Sequence, residues 1–151
     1  MVQGKELLER DVVKFKKALK KLDEICKEPV ETEIIRDATI QRFEFTFESA
    51  WKCLKRIGYL EGLECFSPKS CFEIGYKMGF VEDEDVFIEI IDCRNQTTHI
   101  YDEIMALEIY TKIKDKFLLA FKSLGMEIGE WIEKGLKEGK NNEDAFTRYT
   151  S

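Results

Sequence analysis

The single histidine of this 151-residue chain, His99, lies in Arg94-Asn95-Gln96-Thr97-Thr98-His99-Ile100-Tyr101, an R-x4-H-x-Y pattern. A permanent cation, the one side chain that titrates near neutrality and a phenol share one short stretch. An arginine fork suits a phosphate and stabilises charge developing in a phosphoryl transition state. A histidine can take a proton from a ribose 2′-hydroxyl or return one to a leaving oxygen. Metal-independent RNA cleavage profits from both jobs, and one histidine per chain does not comfortably fill both. A two-fold dimer would bring a second Arg94 and His99 into one cleft. The plainer alternative is a polar turn between two helices, with His99 partly exposed and Arg94 paired to an acid.

Helix geometry decides how the motif must be held. On one continuous helix Arg94 and His99 would stand about 140° apart and could not face a common phosphate. Arg94 would align with Tyr101, while Asn95, His99 and Asp102 would share the neighbouring face. Two β-branched threonines that hydrogen-bond locally favour a break instead. Arg94 is therefore expected on the last turn of one helix, with His99 and Tyr101 in the connection that follows. Asn95 and Asp102 are the candidate supporting residues.

The elements around the motif follow from apolar periodicity. Leu8, Val12, Phe15, Leu19, Leu22 and Cys26 recur at helical spacing and predict a first helix from about Lys5 to Lys27. After Pro29 a second helix runs from about Glu31 to Gly58. Its apolar residues (Ile35, Ala38, Phe45 and Leu54 beside Ile40, Phe43, Phe47 and Trp51) fill more than one stripe. A helix apolar on two sides is usually covered on two sides, here by its own bundle and by a second copy. Ser67-Pro68 is a helix start and Gly79 a stop. Another helix opens at Glu82 to Glu84 and leads into Arg94. Asp102 then caps a long final helix with a predicted seam of Ile104, Leu107, Tyr110, Ile113, Phe117, Ala120, Leu124, Ile128 and Trp131. Gly125 and Gly129 weaken that helix by about 1 kcal/mol each without ending it. The expected fold is all-α, an up-and-down four-helix-type bundle with one short extra helix. Its domain spans residues 1–139, followed by a polar, frayed tail at 140–151.

Composition narrows the classes. Net charge is −6, so any RNA contact needs a local basic patch rather than a general field. The five cysteines include no C-x-x-C pair, and with a single histidine no metal site is expected. Most of them sit at or beside apolar helical positions, and reduced thiols imply the cytoplasm. No apolar run approaches membrane-spanning length. The glycines form no phosphate-cradling loop, so no nucleotide cofactor is expected. The run Glu82-Asp83-Glu84-Asp85 is read as complementing a helix dipole rather than binding metal. Trp51, Trp131 and the phenylalanines are read as core.

Residues 36–52, RDATIQRFEFTFESAWK, resemble the signature second helix of the HEPN family. More narrowly, the chain is similar to the nucleotidyltransferase substrate-binding proteins, encoded beside a minimal nucleotidyltransferase. Ser67-Pro68-Lys69, followed by Cys71 and the Gly79 turn, fits the same pattern, as does the segment from Asp92 to Glu103. The similarity covers roughly Leu8 to Leu124. It implies a dimeric helical bundle with the R-x4-H motif at the dimer cleft. Toxin members are metal-independent ribonucleases, and Arg94 and His99 match their catalytic positions. Tyr101 matches the tyrosine that the partner nucleotidyltransferase modifies with AMP, silencing the toxin. This chain lacks the Gly-Ser and paired aspartates of the transferase itself. The resemblance equally allows a non-catalytic subunit that presents a nucleotide or other substrate to the transferase.

Overall fold

The structure, a computed structural model, describes the backbone of residues 3–99 and 102–141 and the side chains of 4–98 and 102–135. Among these residues all regular structure is helical: α1 (Gln3–Cys26), α2 (Glu33–Leu60), α3 (Pro68–Lys77), α4 (Glu84–Gln96), α5 (Glu103–Lys112) and α6 (Leu118–Asn141). A 3-10 turn, Thr97–His99, follows α4, and a π-turn, Ile113–Phe117, joins α5 to α6 without a break. The long members are α1, α2, α4 and the α5–α6 rod, with α3 as the short extra helix. Of the expected tail, residues from 142 onward lie outside the described residues.

Each start and stop has a local cause. Thr32 caps α2 by accepting from the Ile35 N–H, which moves the start past the expected Glu31. Ser67 and Ser70 form a reciprocal capping box ahead of Pro68. At the end of α3 the Phe80 N–H bonds the Gly75 carbonyl and the Gly79 N–H that of Tyr76, with Gly79 at φ 84°. This is a Schellman stop, which a side chain at that φ would strain. Helices α1 and α2 run antiparallel, because Arg56 Nε donates to Asp11 Oδ2 at 3.2 Å while Arg42 donates to the Lys21 carbonyl.

The core is aromatic. Phe43 lies 5.7 Å from Phe117 and 6.1 Å from Phe121, while Phe87 touches Phe72 and Phe121. Trp51 and Trp131 pack partly buried against it, but Phe45 and Phe66 are exposed and correct the reading of the phenylalanines as core. The final helix also departs from its predicted seam. Ile104 and Leu107 are exposed, whereas Ala106, Ile109, Tyr110 and Ile113 are buried. Successive steps of three residues drift around a helix, and Ile104 stands about 180° from Ile113. The π-turn, in which the Leu118 N–H reaches the Ile113 carbonyl, then inserts the extra residue that keeps Phe117 and Phe121 inward.

The cysteines divide. Cys65 and Cys71 are joined in a disulfide with Cα atoms 5.3 Å apart, while Cys26, Cys53 and Cys93 are free. The expectation of reduced thiols therefore fails at two positions, where the loop ahead of α3 and its first turn hold the pair within bonding reach. The disulfide also removes the thiol argument for a cytoplasmic compartment. Among the described residues no helix is long and apolar enough to cross a membrane.

Candidate active site at the end of α4

Helix α4 is capped by Asp83, whose Oδ1 accepts from the Asp85 and Val86 N–H groups. The acidic run is thus a helix cap, and among the described residues no three His, Cys, Asp or Glu side chains group to hold a metal. Phe87, Ile90 and Cys93 are buried and fix the rotation of α4. Glu89 locks its far side to the final rod through Lys116 at 2.7 Å and Lys112 at 3.5 Å. The hydrogen bond from Lys116 holds the Glu89 carboxyl below its ordinary value. Cys93 precedes the arginine, and burial pushes its thiol up, which makes it a poor nucleophile.

Arg94 occupies the last turn of α4, as the helix geometry requires. Its Nη1 donates to Thr97 Oγ1 at 3.2 Å, and that hydroxyl donates to the Arg94 carbonyl at 2.6 Å. Thr98 Oγ1 donates likewise to the Asn95 carbonyl. Both threonines therefore claim carbonyls at the helix end, and α4 gives way to the 3-10 turn there. On the other side, Nη2 lies 3.8 Å from Glu44 Oε2 and 4.0 Å from Glu48 Oε1 on α2. These separations attract but are too long for hydrogen bonds. Among the described residues, Arg94 Nε is buried without a hydrogen-bond partner. The guanidinium is held in place and only partly satisfied.

The other candidates fall as follows. Asn95 is exposed on the final turn of α4. His99 is the last residue of the 3-10 turn, but its side chain lies outside the described residues, so its distance to Arg94 is not part of the structure. Tyr101 also lies outside them. Asp102 is exposed and caps α5, its Oδ1 accepting from the Ile104 N–H at 2.8 Å. Glu44, Glu48 and Thr97 are the residues around Arg94 that motif reasoning passed over. Carboxylates at positions i and i+4 in an otherwise aromatic stretch of α2 were the available signal. Glu48 also accepts from Trp51 Nε1 at 3.2 Å, which fixes its direction.

A family described as nucleotidyltransferase substrate binding protein like matches residues 10–129. The chain belongs to this HEPN family. A Thermus thermophilus protein of known crystal structure is 33% identical, superimposing with a TM-score of 0.67 over 73% of this chain and 94% of that one. The probable ribonuclease HepT of Haemophilus influenzae is 28% identical over 81 residues, 50% of this chain. The match spans little more than half of that relative, 56% of its length. Two HEPN-fold structures share the architecture at lower identity. One is a mutant toxin-antitoxin MntA-HpeT (14% identical, TM-score 0.69, covering 83% of this chain and 98% of that one). The other is a tri-AMPylated Shewanella oneidensis HEPN toxin in complex with MNT antitoxin (16%, TM-score 0.67, 82% and 96%). At those identities the likeness is one of fold.

Proposed function

We propose that this HEPN chain is a toxin-like, metal-independent ribonuclease controlled by a cognate minimal nucleotidyltransferase. The state of Arg94 carries the reading: a guanidinium oriented by Thr97 and two carboxylates, yet with Nη2 engaged in no hydrogen bond among the described residues. Such a group is prepared to take a phosphate oxygen. In the reaction the ribose 2′-oxygen attacks phosphorus as its proton passes to one His99. The 5′-oxygen leaves with a proton from a second His99, giving a 2′,3′-cyclic phosphate and a 5′-hydroxyl. Arg94 stabilises the charge on the non-bridging oxygens. Two histidines require a homodimer. The exposed Ile34 and Phe45 on α2 share a face beside Glu44 and Glu48, since eleven residues turn an ideal helix to within about 20° of the start. This unpartnered stripe suits a two-fold contact that sets both motifs on one cleft. Asn95 and Asp102 support the cleft rim, and action on cellular RNA places the protein in the cytoplasm.

Control runs through Tyr101, two residues past His99. Transfer of AMP from ATP to its phenol oxygen, with release of pyrophosphate, adds bulk and a phosphodiester charge. That charge would draw Arg94 into a pair and repel an incoming RNA phosphate. One observation favours the second reading, a subunit that presents a nucleotide to the transferase without turnover of its own: Glu44 and Glu48 offset the cation that RNA would need. Purified protein incubated with RNA in EDTA separates the two. Cleavage is expected, with His99→Ala losing about 10²–10⁴-fold and Arg94→Ala a comparable factor. Adenylylation by the partner, mapped to the Tyr101 peptide by mass spectrometry, is expected to stop it. Cleavage indifferent to both substitutions would reject the site, and no cleavage at all would move the assignment to the presenting subunit.

A further inference from the structure

Beyond Glu48 the outer face of α2 changes character. Its N-terminal half presents Ile34 and Phe45, whereas its C-terminal half presents Lys52, Lys55 and Tyr59, all exposed. A cleft of about 400 Å³ opens there, lined by Asp11, Trp51, Lys52, Lys55, Arg56 and Tyr59. That volume falls within the range of about 300–1,000 Å³ typical of small-ligand sites. Its one acid is spent internally, because Asp11 Oδ2 accepts from Arg56 Nε. Lys52 lies 3.9 Å from Glu48, at the outer limit of an ion pair. Lys55 has no carboxylate partner among the described residues and rests over the Trp51 and Phe66 rings, at 6.0 and 5.7 Å. Tyr59 is 60% exposed and Phe66 75%, which is unusual for rings that a bundle could have buried. On α1, whose Asp11 lines the cleft, Arg10, Lys14 and Lys17 are exposed on one stripe, which Glu6 shares. In a chain of net charge −6 this is a local reversal of sign.

Cations interleaved with exposed rings are the elements that hold single-stranded nucleic acid: ammonium groups follow the backbone and rings stack bases. The cleft also joins the Arg94 site through one residue, since Glu48 faces Arg94 and takes the Trp51 indole hydrogen bond. From Glu48 to Tyr59 the helix rises about 16 Å, room for a few nucleotides. We propose that this cleft binds the single-stranded RNA flanking the reacting phosphate, with Lys52 and Lys55 on its backbone and a base on Tyr59. Such a subsite deepens the ribonuclease reading and rests on RNA being its substrate.

Binding and cleavage are measured separately. Fluorescence anisotropy of a short labelled oligouridylate with 2′-O-methyl riboses reads binding that cannot proceed to 2′-attack. Lys52→Glu with Lys55→Glu is expected to weaken it at least about tenfold and to lower the slope of log affinity against log salt by about 1.4. Lys52→Gln with Lys55→Gln should act in the same direction. Tyr59→Ala is expected to cost about fivefold or more, while Tyr59→Phe keeps binding, because the ring stacks. On cleavable RNA these variants should raise KM and keep kcat, with unchanged far-UV circular dichroism. Unaltered affinity in the lysine and Tyr59→Ala variants overturns the proposal, as does a wild-type protein that binds no RNA. Loss of nucleotidyltransferase capture with RNA affinity intact overturns it too and makes the face a protein interface. Binding with the expected losses but no cleavage would sink the ribonuclease reading and leave the subsite standing.

Discussion

At the residue scale the proposed site centres on Arg94, and its neighbours set its strength. Glu44 and Glu48 hold the guanidinium from 3.8 and 4.0 Å, close enough to orient it and far enough to leave Nη2 without a hydrogen bond among the described residues. A unit charge at that separation is worth about 1 kcal/mol in water and more in a partly dry cleft. Glu48→Gln should therefore tighten oligoribonucleotide binding about two- to fivefold while the amide oxygen still accepts from Trp51. Unchanged or weaker binding in a salt titration would show that Glu48 organises the site rather than opposing the ligand. The motif itself was legible because its residue types are rare together and its threonines announce a helix end. The carboxylates were not, since an acid on a helix reads as a solvated face until the opposing helix is known. The cysteines show the same limit. Nothing in the spacing of Cys65 and Cys71 separates a disulfide from two packed thiols. For the free cysteines burial predicts behaviour: it pushes Cys26 up to about 11 and Cys53 up to about 12. Iodoacetamide at neutral pH should leave Cys26, Cys53 and Cys93 unlabelled until urea unfolds the chain, and rapid labelling of the native protein would contradict their placement.

At the scale of elements, the bundle depends on a few close approaches. Gly58, near the end of α2, lets the following loop fold back so that the Leu63 N–H bonds the Gly58 carbonyl at 2.7 Å. A Cβ at Gly58 would collide with the Leu63 carbonyl oxygen, which is backbone and cannot swing aside. Gly58→Ala should cost about 1–3 kcal/mol in urea unfolding, and a wild-type midpoint would contradict that packing. Glu89 supplies a second test. Its carboxyl is held below its ordinary value of 4.5, chiefly by the Lys116 hydrogen bond. The stability this gives is present above that value and lost as pH falls through the lowered one. Glu89→Gln should melt earlier than wild type near neutrality, with the gap closing as the pH falls below the ordinary value and through the lowered one. A gap constant with pH would assign the effect to packing. The helix boundaries at Ser67, Gly79 and Asp102 were readable, because each of these residues acts within a few residues of itself, whereas the Thr32 cap of α2 was not read and its start was set at Glu31 instead. The π-turn and the inner face of α5 were not, because which side of a helix carrying apolar residues all round turns inward is settled by its neighbours.

At the scale of the whole molecule, a chain of net charge −6 can act on RNA only by concentrating its cations. The outer face of α2 does so, passing from an apolar half through the carboxylates beside Arg94 to a basic, aromatic half. If the apolar half joins two copies, Phe45→Glu should give a monomer by light scattering at micromolar concentration and should lose cleavage as its composite cleft falls apart. A monomeric wild-type protein that still cleaves would refute the two-histidine arrangement. The two-histidine, metal-independent mechanism is written in the chemistry of the product ends. Wild-type protein incubated with a defined oligoribonucleotide in EDTA, its products read by mass spectrometry, should leave 2′,3′-cyclic phosphate or 3′-phosphate on one fragment and 5′-hydroxyl on the other. Products with 5′-phosphate and 3′-hydroxyl ends, or intact RNA in the presence of dimeric unmodified protein, would contradict it.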